Sequence, residues 1–362
     1  MSIFIAIFSI LFLVVLHELG HFLTAKKFNV EVHEFGIGLP FTPTIFKRKI
    51  GETMYSFYPL LIGAFVKMRG EEAGDAHPRS FSEKPIWQRI VIVMAGVLSS
   101  WIVAAVIIAI VGAGWNVALN IPDDANFLRN PQVQILGVVE GLPAEQAGVR
   151  AGDLVVRVED QSGRLDTPTT MQAFRDFIQE TAGKMLILTV SRDSELTQIE
   201  LVPRVNPPDG QGSLGVALNR VGVLHFAWWQ APWEGIRYTG ILTFFTIDQT
   251  IEQISKSLAG QGPPLHTQVT GPVGIISLLG ASYEVGIEQF LLFVAQIAIL
   301  LAIFNTIPIP ALDGGRLLFL LIEAVRKKPL PDKVIQISII ISFALLVPLI
   351  VWVTINDISR QF

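Results

Sequence analysis

An almost unbroken apolar run from Ile3 to Leu16 leads directly into the motif His17-Glu18-Leu19-Gly20-His21, and further apolar residues follow it. A run of this length predicts a helix that crosses a membrane, because about 20 apolar residues span the hydrocarbon core. Three ionisable side chains in such a helix are costly unless they pair with one another or bind a metal. The position of the motif therefore indicates a functional site inside a membrane-spanning helix.

The spacing within the motif is typical of a zinc site. On a helix His17 and His21 leave the same face about one turn apart, which suits two ligands of one tetrahedral Zn²⁺. Glu18 could take a proton from a water molecule activated by that metal. The alternative is an ordinary helix carrying two histidines and a carboxylate. A polar sequence would favour that alternative, but in an apolar segment of membrane length three unpaired ionisable side chains would cost several kcal/mol each.

Composition places the chain among membrane proteins. Its 362 residues are 51% hydrophobic and only 16% charged, with a mean hydropathy of +0.52, whereas soluble domains carry about 25% charged residues. The net charge of −4 gives no reason to expect a nucleic-acid partner. The chain contains no Cys, so metal ligands must come from His, Asp and Glu.

Four membrane spans are predicted from the apolar stretches. The third stretch is too long for one straight helix across a bilayer, so we expect it to break between Asn305 and Pro310, where two prolines interrupt it. Asp313 follows the break. We expect the first span to be retained rather than cleaved as a signal peptide, because it lacks a basic n-region and contains the histidines. The predicted spans are Ser2 to Ala25, Ile90 to Ala113, Phe290 to Val325 and Val334 to Ile355.

The fold class predicted is a polytopic α-helical membrane protein with about four transmembrane helices, a membrane-embedded β segment and one inserted α+β domain. Residues 1–113 would form the first part of the membrane core, with strands between residues 30 and 68. Residues 128–220 would form the extracytoplasmic insert, and residues 265–362 the second part of the core. In the insert we predict four strands, at 135–139, 154–158, 185–190 and 197–202, and helices at 143–148 and 170–181.

Residues 224–258 lie between the insert and the second part of the core. Trp228, Trp229 and Trp233 stand beside polar positions there, which predicts an amphipathic helix at the lipid interface with Trp at headgroup depth. A helix packed on the soluble insert is the alternative.

Charge predicts the orientation of the spans in a cell membrane. The connectors Lys26 to Arg89 and Arg326 to Lys333 are both basic and should face the cytoplasm, which leaves the insert and both termini outside. His17, His21 and Asp313 would then lie at one depth, toward the cytoplasmic side. A metal transporter would instead need ionisable groups spread along a path through the bilayer.

Three motifs carry a specific resemblance to a known family. His17 to His21, Gly271-Pro272-Val273-Gly274 and Asn305 to Gly315, in that order, resemble the site-2 protease family of intramembrane zinc metalloproteases (peptidase M50-like). The bacterial branch that acts in regulated intramembrane proteolysis is the most similar. The resemblance implies a β segment that pairs with an unwound substrate helix. It also implies that the zinc ligands are His17, His21 and Asp313. Glu18 would be the general base, and Asn305 would hold the substrate backbone or stabilise the oxyanion.

The same resemblance implies the partners. They would be single-span membrane proteins such as an anti-sigma factor or a signal-peptide remnant, held in the lipid bilayer, with a site-1 protease possible upstream.

The insert resembles a bacterial PDZ domain through Gly137-Val138-Val139 and the segment Pro143 to Asp153. In the circularly permuted bacterial form, the carboxylate-binding loop would fall at Gly212 to Val216. Backbone N–H groups of Leu214, Gly215 and Val216 could then receive a peptide C-terminus. A strand end that happens to contain glycines is an equally open interpretation.

The chain departs from the family near the start of the second span. Relatives carry Gly-Pro-x-x-Asn where this chain has Gly96-Val97-Leu98-Ser99-Ser100, so the role of the Asn passes to Ser99, to another group or to none. This departure leaves open a second function, a non-proteolytic protein that binds peptides through the insert. Glu71 and Glu72 are interpreted as a solvated face.

Overall fold

The computed structural model describes residues 2–40, 42–61, 63–71, 77–115, 117–120, 129–192, 195–208, 211–260 and 270–361. The chain divides into two compact units, one made of Met1–Ala113 with Ala227–Phe362 and the other of Gly114–Phe226. Residue 128 and residues 265–269, at which two predicted domains begin, lie outside the described residues.

Four helices in the described part of the chain are long and apolar enough to cross a membrane. They lie at the four predicted spans, and their ends differ from the predicted ones by a few residues except in the third, which ends at Thr306 rather than at Val325. Each is apolar on nearly all sides, as a lipid-facing helix must be. These helices are α1 (Ser2–Lys27), α2 (Ile86–Gly114), α7 (Ile287–Thr306) and α9 (Asp332–Gln361).

The predicted break in the third apolar stretch is confirmed. Helix α7 ends at Thr306, and a separate helix, α8 (Asp313–Arg326), begins six residues after Ile307. Ile307 has extended dihedral angles, φ −63° and ψ 135°, as expected for a residue that precedes proline. The break leaves Asp313 as the first residue of a new helix.

Two further helices belong to this unit. Helix α5 (Ala231–Leu258) forms most of the predicted amphipathic helix. The predicted start at residue 224 is wrong, because Leu224 still pairs with Val117 in a strand. Helix α6 (Pro272–Val285) was not predicted as a separate element. It packs against α1, α7 and α9.

A four-stranded sheet follows α1 and confirms the strands predicted between residues 30 and 68. Its order is β2-β3-β1-β4, with β1 parallel to β3 and the other pairs antiparallel. One face packs on α1 through Val32, Phe35 and Val66. Its depth in a membrane stays a prediction. The strands are β1 (Val32–Ile37), β2 (Phe46–Ile50), β3 (Thr53–Phe57) and β4 (Ala64–Met68).

An ion-pair cluster ties the turn between β2 and β3 to its surroundings. Glu52 Oε1 accepts hydrogen bonds from Arg79 at 2.7 Å and from Lys26 at 2.6 Å. The Arg79 guanidinium, together with the Lys26 ammonium, lowers the pKa of Glu52 to about 2. The last turn of α1, the sheet and the connector to α2 therefore meet at one carboxylate.

The second unit is an antiparallel sheet with order β10-β9-β7-β6-β11-β5, in which β8 pairs with β7, and two helices cover it. All strands and helices predicted for the insert are present. Phe174, Phe177 and Ile178 of α4 pack on the sheet, and Thr170 caps α4 by accepting from the Ala173 N–H. The elements are β5 (Val117–Asn120), β6 (Arg129–Val138), α3 (Pro143–Gln146), β7 (Leu154–Asp160), β8 (Leu165–Asp166), α4 (Met171–Glu180), β9 (Leu186–Arg192), β10 (Glu195–Leu201) and β11 (Val216–Leu224).

Candidate metal centre

Helices α1 and α8 bring three candidate ligands together. The Asp313 Oδ2 atom lies 3.0 Å from His17 Nε2 and 3.2 Å from His21 Nε2, and the two Nε2 atoms are 3.4 Å apart. Two ligand atoms of a tetrahedral zinc site with bonds of about 2.0–2.1 Å are separated by about 3.3 Å. The spacing and the chemistry of these donors therefore fit one zinc ion.

Helix α2 orients both imidazoles through one face, on which Ile92, Gly96 and Ser100 follow one another at intervals of four residues. His21 Nδ1 donates to the Ile92 carbonyl oxygen at 2.8 Å, and His17 Nδ1 lies 3.0 Å from Ser100 Oγ. With Nδ1 protonated, His21 presents a lone pair at Nε2, the atom that faces Asp313. The two side chains are only 5% and 9% exposed, so both are buried beside α2 and α8.

Glycines make room for this arrangement. A Cβ on Gly96 would lie 2.1 Å from His21 Nε2 and 2.8 Å from His17 Nε2, so any side chain there would collide with both imidazoles. Similarly, a Cβ on Gly314 or Gly315 would lie within 2.3 Å of the carbonyl oxygens of Ile307 or Ile309. These glycines let the first turn of α8 lie against the broken segment, which holds Asp313 in place.

A cavity of about 210 Å³ adjoins the three ligands. Glu18 and Asn305 both line it, so the structure brings all five predicted metal and catalytic residues around one space. The Asn305 side chain donates from Nδ2 to the Leu301 carbonyl oxygen at 2.9 Å. The remaining lining residues come from strand β4 and from the segments around Glu71 and Asp313: Phe65, Val66, Met68, Glu71, Ala311, Leu312 and Arg316.

An ion pair at this cavity was not predicted. Arg316 Nη1 contacts Glu71 Oε1, and Glu71 Oε2 accepts from the Met68 N–H at 3.2 Å. The interpretation of Glu71 as part of a solvated face is therefore wrong, while Glu72 lies outside the described residues. Arg316 follows Asp313 by three positions, which places both on one helix face. That spacing is the signal by which the sequence could have indicated Arg316.

The second unit has a larger cavity of its own, about 570 Å³ in volume, between α4 and the start of β11. Leu214, Gly215 and Val216 line it, and Arg175 and Arg204 contribute positive charge. The Leu214 side chain is 3% exposed and belongs mainly to the core. Gly215 has φ +76°, and a Cβ there would collide with Leu142.

A candidate metal site on the H-E-x-x-H segment of a helix long enough to cross a membrane is typical of a membrane metalloprotease. The sequence pattern of peptidase family M50 matches residues 5–349, and the chain belongs to that family. The family resemblance stated from the motifs is confirmed.

Individual relatives match over nearly their whole length. A Clostridium acetobutylicum protein, provisionally named a zinc metalloprotease, is 31% identical over 360 residues, which cover 99% of this chain and 97% of the relative. The regulator of sigma-W protease RasP of Bacillus subtilis (strain 168) is 27% identical over 444 residues, covering 99% and 98%. Zinc metalloprotease RasP of Oceanobacillus iheyensis is 27% identical over 441 residues, with the same coverage.

Together these matches support an enzyme over the non-proteolytic and transport alternatives. The chain is a zinc metalloprotease and a multi-pass membrane protein.

Proposed function

We propose that the chain is an intramembrane endopeptidase that hydrolyses a peptide bond in or beside the transmembrane helix of a single-span protein. One observation carries this proposal: the three candidate zinc ligands and Glu18 meet at a cavity on α1, a helix long enough to cross a membrane. The name of the Bacillus subtilis relative, a regulator of sigma-W, supports an anti-sigma factor as substrate. A signal-peptide remnant has the same single-span form.

In this proposal His17, His21 and Asp313 hold zinc, which supplies Lewis acidity for the attack of water on a carbonyl. Glu18 takes the proton of the attacking water and returns it to the leaving amine. Asn305 exchanges its hydrogen bond with Leu301 for one with the substrate, either to the backbone or to the oxyanion. Arg316 and Glu71 form one wall of the cavity through their ion pair.

Strand β4 is the element suited to hold the substrate. It lies at one end of the described sheet and pairs only with β1 there, while Phe65, Val66 and Met68 reach the cavity beside the ligands. An unwound segment of a substrate helix could add to this edge as a further strand. The N–H and C=O groups of the substrate would then form hydrogen bonds with β4, which is necessary because backbone polar groups cannot stay unpaired in lipid. The scissile bond of the substrate would lie near Glu18.

The second unit is proposed to be a PDZ-like domain that binds peptide ends. Strand β5 pairs with Val221–Leu224 of β11, so the first half of β11 faces the cavity beside α4 without a described strand on that side. A peptide could add there, with its C-terminal carboxylate near the N–H groups of Leu214, Gly215 and Val216. Arg175 and Arg204 add charge complementarity for that carboxylate.

The membrane orientation follows from the basic connectors. We place residues 26–89 and 326–333 in the cytoplasm and the second unit outside the cell, because positively charged short loops are retained on the cytoplasmic side. The exposed Trp228, Trp229 and Trp233 side chains at the start of α5 suit the outer lipid interface. An upstream site-1 protease would trim a substrate before it reaches the cavity.

Co-expression with a panel of single-span reporter proteins tests the catalytic proposal. Wild type should cleave some reporters within or next to the span, and Glu18→Gln should lower the cleavage rate by about 100-fold or more while still co-purifying with uncut reporter and retaining zinc. Glu83→Gln, at an exposed glutamate of the connector, is the matched control and should cleave normally. Cleavage by Glu18→Gln near the wild-type rate would remove Glu18 from the mechanism.

A further inference from the structure

The hydroxyl of Ser100 makes a contact that the catalytic proposal does not use. Ser100 is 2% exposed, and its Oγ lies 3.0 Å from His17 Nδ1, across an interval of 83 residues in sequence. We infer that Ser100 is a positioning residue, which sets the ring orientation and the tautomer of His17 so that Nε2 points at the metal. The inference rests on the zinc site proposed above.

The hydrogen bonds around Ser100 are consistent with His17 Nδ1 as the donor and Ser100 Oγ as the acceptor. His17 must keep Nε2 unprotonated to ligate a metal, so its proton is on Nδ1 and is donated to Ser100 Oγ. Ser100 can in turn donate its own proton to the Gly96 carbonyl oxygen, 3.3 Å away. His21 has an equivalent acceptor in the Ile92 carbonyl oxygen. Each proposed His ligand is thereby fixed from α2, as metal-bound histidines generally are by a partner on the other ring nitrogen.

The length of the Ser100–Gly96 contact argues against an ordinary helical serine. Serine hydroxyls in helices often bond only to the carbonyl oxygen four residues earlier, and Ser9, Ser338 and Ser342 do so here at 2.7–2.8 Å. The same contact of Ser100 is stretched to 3.3 Å. Its hydroxyl is therefore displaced toward His17 rather than held by its own helix.

Ser99 provides a contrast at the neighbouring position. Its Oγ donates to the Gly96 carbonyl oxygen at 2.7 Å and lies 3.4 Å from the His17 carbonyl oxygen. It thus bonds backbone groups and not the imidazole. Counting from Gly96, the Asn of the family pattern Gly-Pro-x-x-Asn would fall at Ser100. The sequence left open whether Ser99, another group or none takes the role of that Asn, and the structure favours a group other than Ser99.

The experiment compares zinc affinity in full-length purified protein by competition with a chelator. Ser100→Ala should raise the zinc Kd by about 10- to 100-fold, the usual effect of removing a partner of a metal-bound histidine, and Ser99→Ala should leave it unchanged. Cobalt-substituted protein gives a second readout, because its visible spectrum reports ligand geometry. That spectrum should change in Ser100→Ala and not in Ser99→Ala.

Ser100→Thr keeps the hydroxyl and should restore both the affinity and the spectrum. If the added methyl group lowers the Tm of metal-free protein, Ser100→Asn, which also carries an acceptor oxygen, serves as the rescue variant. An unchanged zinc Kd and cobalt spectrum in Ser100→Ala would overturn the inference, as would a loss that neither rescue variant corrects. Full zinc binding by His17→Ala would instead contradict the proposed metal site itself, so the two failures are distinguishable.

Discussion

Gly96 illustrates how a missing side chain shapes the metal centre. The ridge of α2 approaches α1 so closely that the space where a Cβ would stand is the space between the two imidazoles. Small residues allow such close approach of membrane helices in general. Here the small residue also keeps the space beside the two Nε2 atoms free of a side chain.

Gly96→Ala should therefore abolish zinc binding, because its Cβ would lie 2.1 Å from His21 Nε2 and force the ring away. Zinc content of purified protein, measured by atomic emission, gives the readout. Gly114→Ala on the same helix is the control, since a Cβ there meets nothing within 4 Å, and it should retain full zinc. Normal zinc in Gly96→Ala would show that α1 and α2 can separate at little cost.

The ligand set itself makes a second prediction at the residue scale. Wild-type protein should hold about one zinc per chain, and His17→Ala or Asp313→Ala should lose most of it, because a tetrahedral site needs its three protein ligands. His33→Ala, whose side chain is 44% exposed, is the control and should bind zinc normally. Undiminished zinc affinity in Asp313→Ala would mean that a different group is the third ligand.

The sequence predicted the site residues that belong to a contiguous motif and missed those defined by contact between helices. His17, Glu18 and His21 share one helical turn, so their spacing alone indicated a metal site. Ser100 and Glu71 reach the site only because α2 and the end of β4 pack beside α1 and α8. No periodicity in the sequence specifies that packing.

At the scale of elements, α6 is held in place by a carboxylate from the other end of its unit. Asp357 of α9 is 4% exposed and accepts from the N–H groups of Gly271 and Gly274 at 3.0 and 2.8 Å. These donors open α6, where a negative charge is stabilising. Since α6 packs on α1, Asp357 links the last span to the helix that carries the histidines.

Asp357→Ala should lower the free energy of unfolding by about 1.5–3 kcal/mol for each lost hydrogen bond to a charged acceptor. A lowered Tm of the detergent-solubilised protein measures the effect. Asp248→Ala, at an exposed carboxylate of α5, is the control and should leave the Tm unchanged. An equal Tm for the two variants would mean that water replaces the carboxylate without loss.

The sequence predicted long or strongly interrupted elements better than short ones. Prolines marked the break between α7 and α8 because they exclude helical backbone wherever they occur. Helix α6 was missed because its 14 residues are too few for a span and carry no polar face. The start of α5 was misplaced because pairing with β5 extends β11 to Leu224, a tertiary effect that local composition does not reveal.

At the scale of the whole molecule, the candidate metal ligands and the proposed peptide-binding cavity belong to different compact units. Replacing residues 128–220 by a flexible linker should therefore leave zinc content unchanged. If the second unit selects substrates by their outer tails, the deletion should also broaden cleavage toward reporters with bulky outer domains. Wild type and deletion are compared on one transmembrane reporter carrying a short or a bulky domain. If wild type and the deletion variant discriminate equally between the short and the bulky outer domain, the second unit does not select substrates.

The absence of Cys makes the membrane orientation directly measurable. A single Cys placed at Arg79 or Lys327 should react with an impermeant thiol reagent only from the cytoplasmic side, because these positions lie in the basic connectors. A Cys at Arg164 should react from outside. Cysteine-free wild type is the control for background labelling, and cytoplasmic labelling at position 164 would reverse the orientation.

The separation of the ligands along the chain has a consequence for biosynthesis. His17 and Asp313 are 296 residues apart, so at a ribosomal rate of about 5–20 residues per second the third ligand emerges about 15 to 60 s after the first. During that interval the nascent chain carries two histidines without their carboxylate. In the proposed zinc site the ligand set is complete only once α8 has been made, so we expect no cleavage of neighbouring membrane proteins before then.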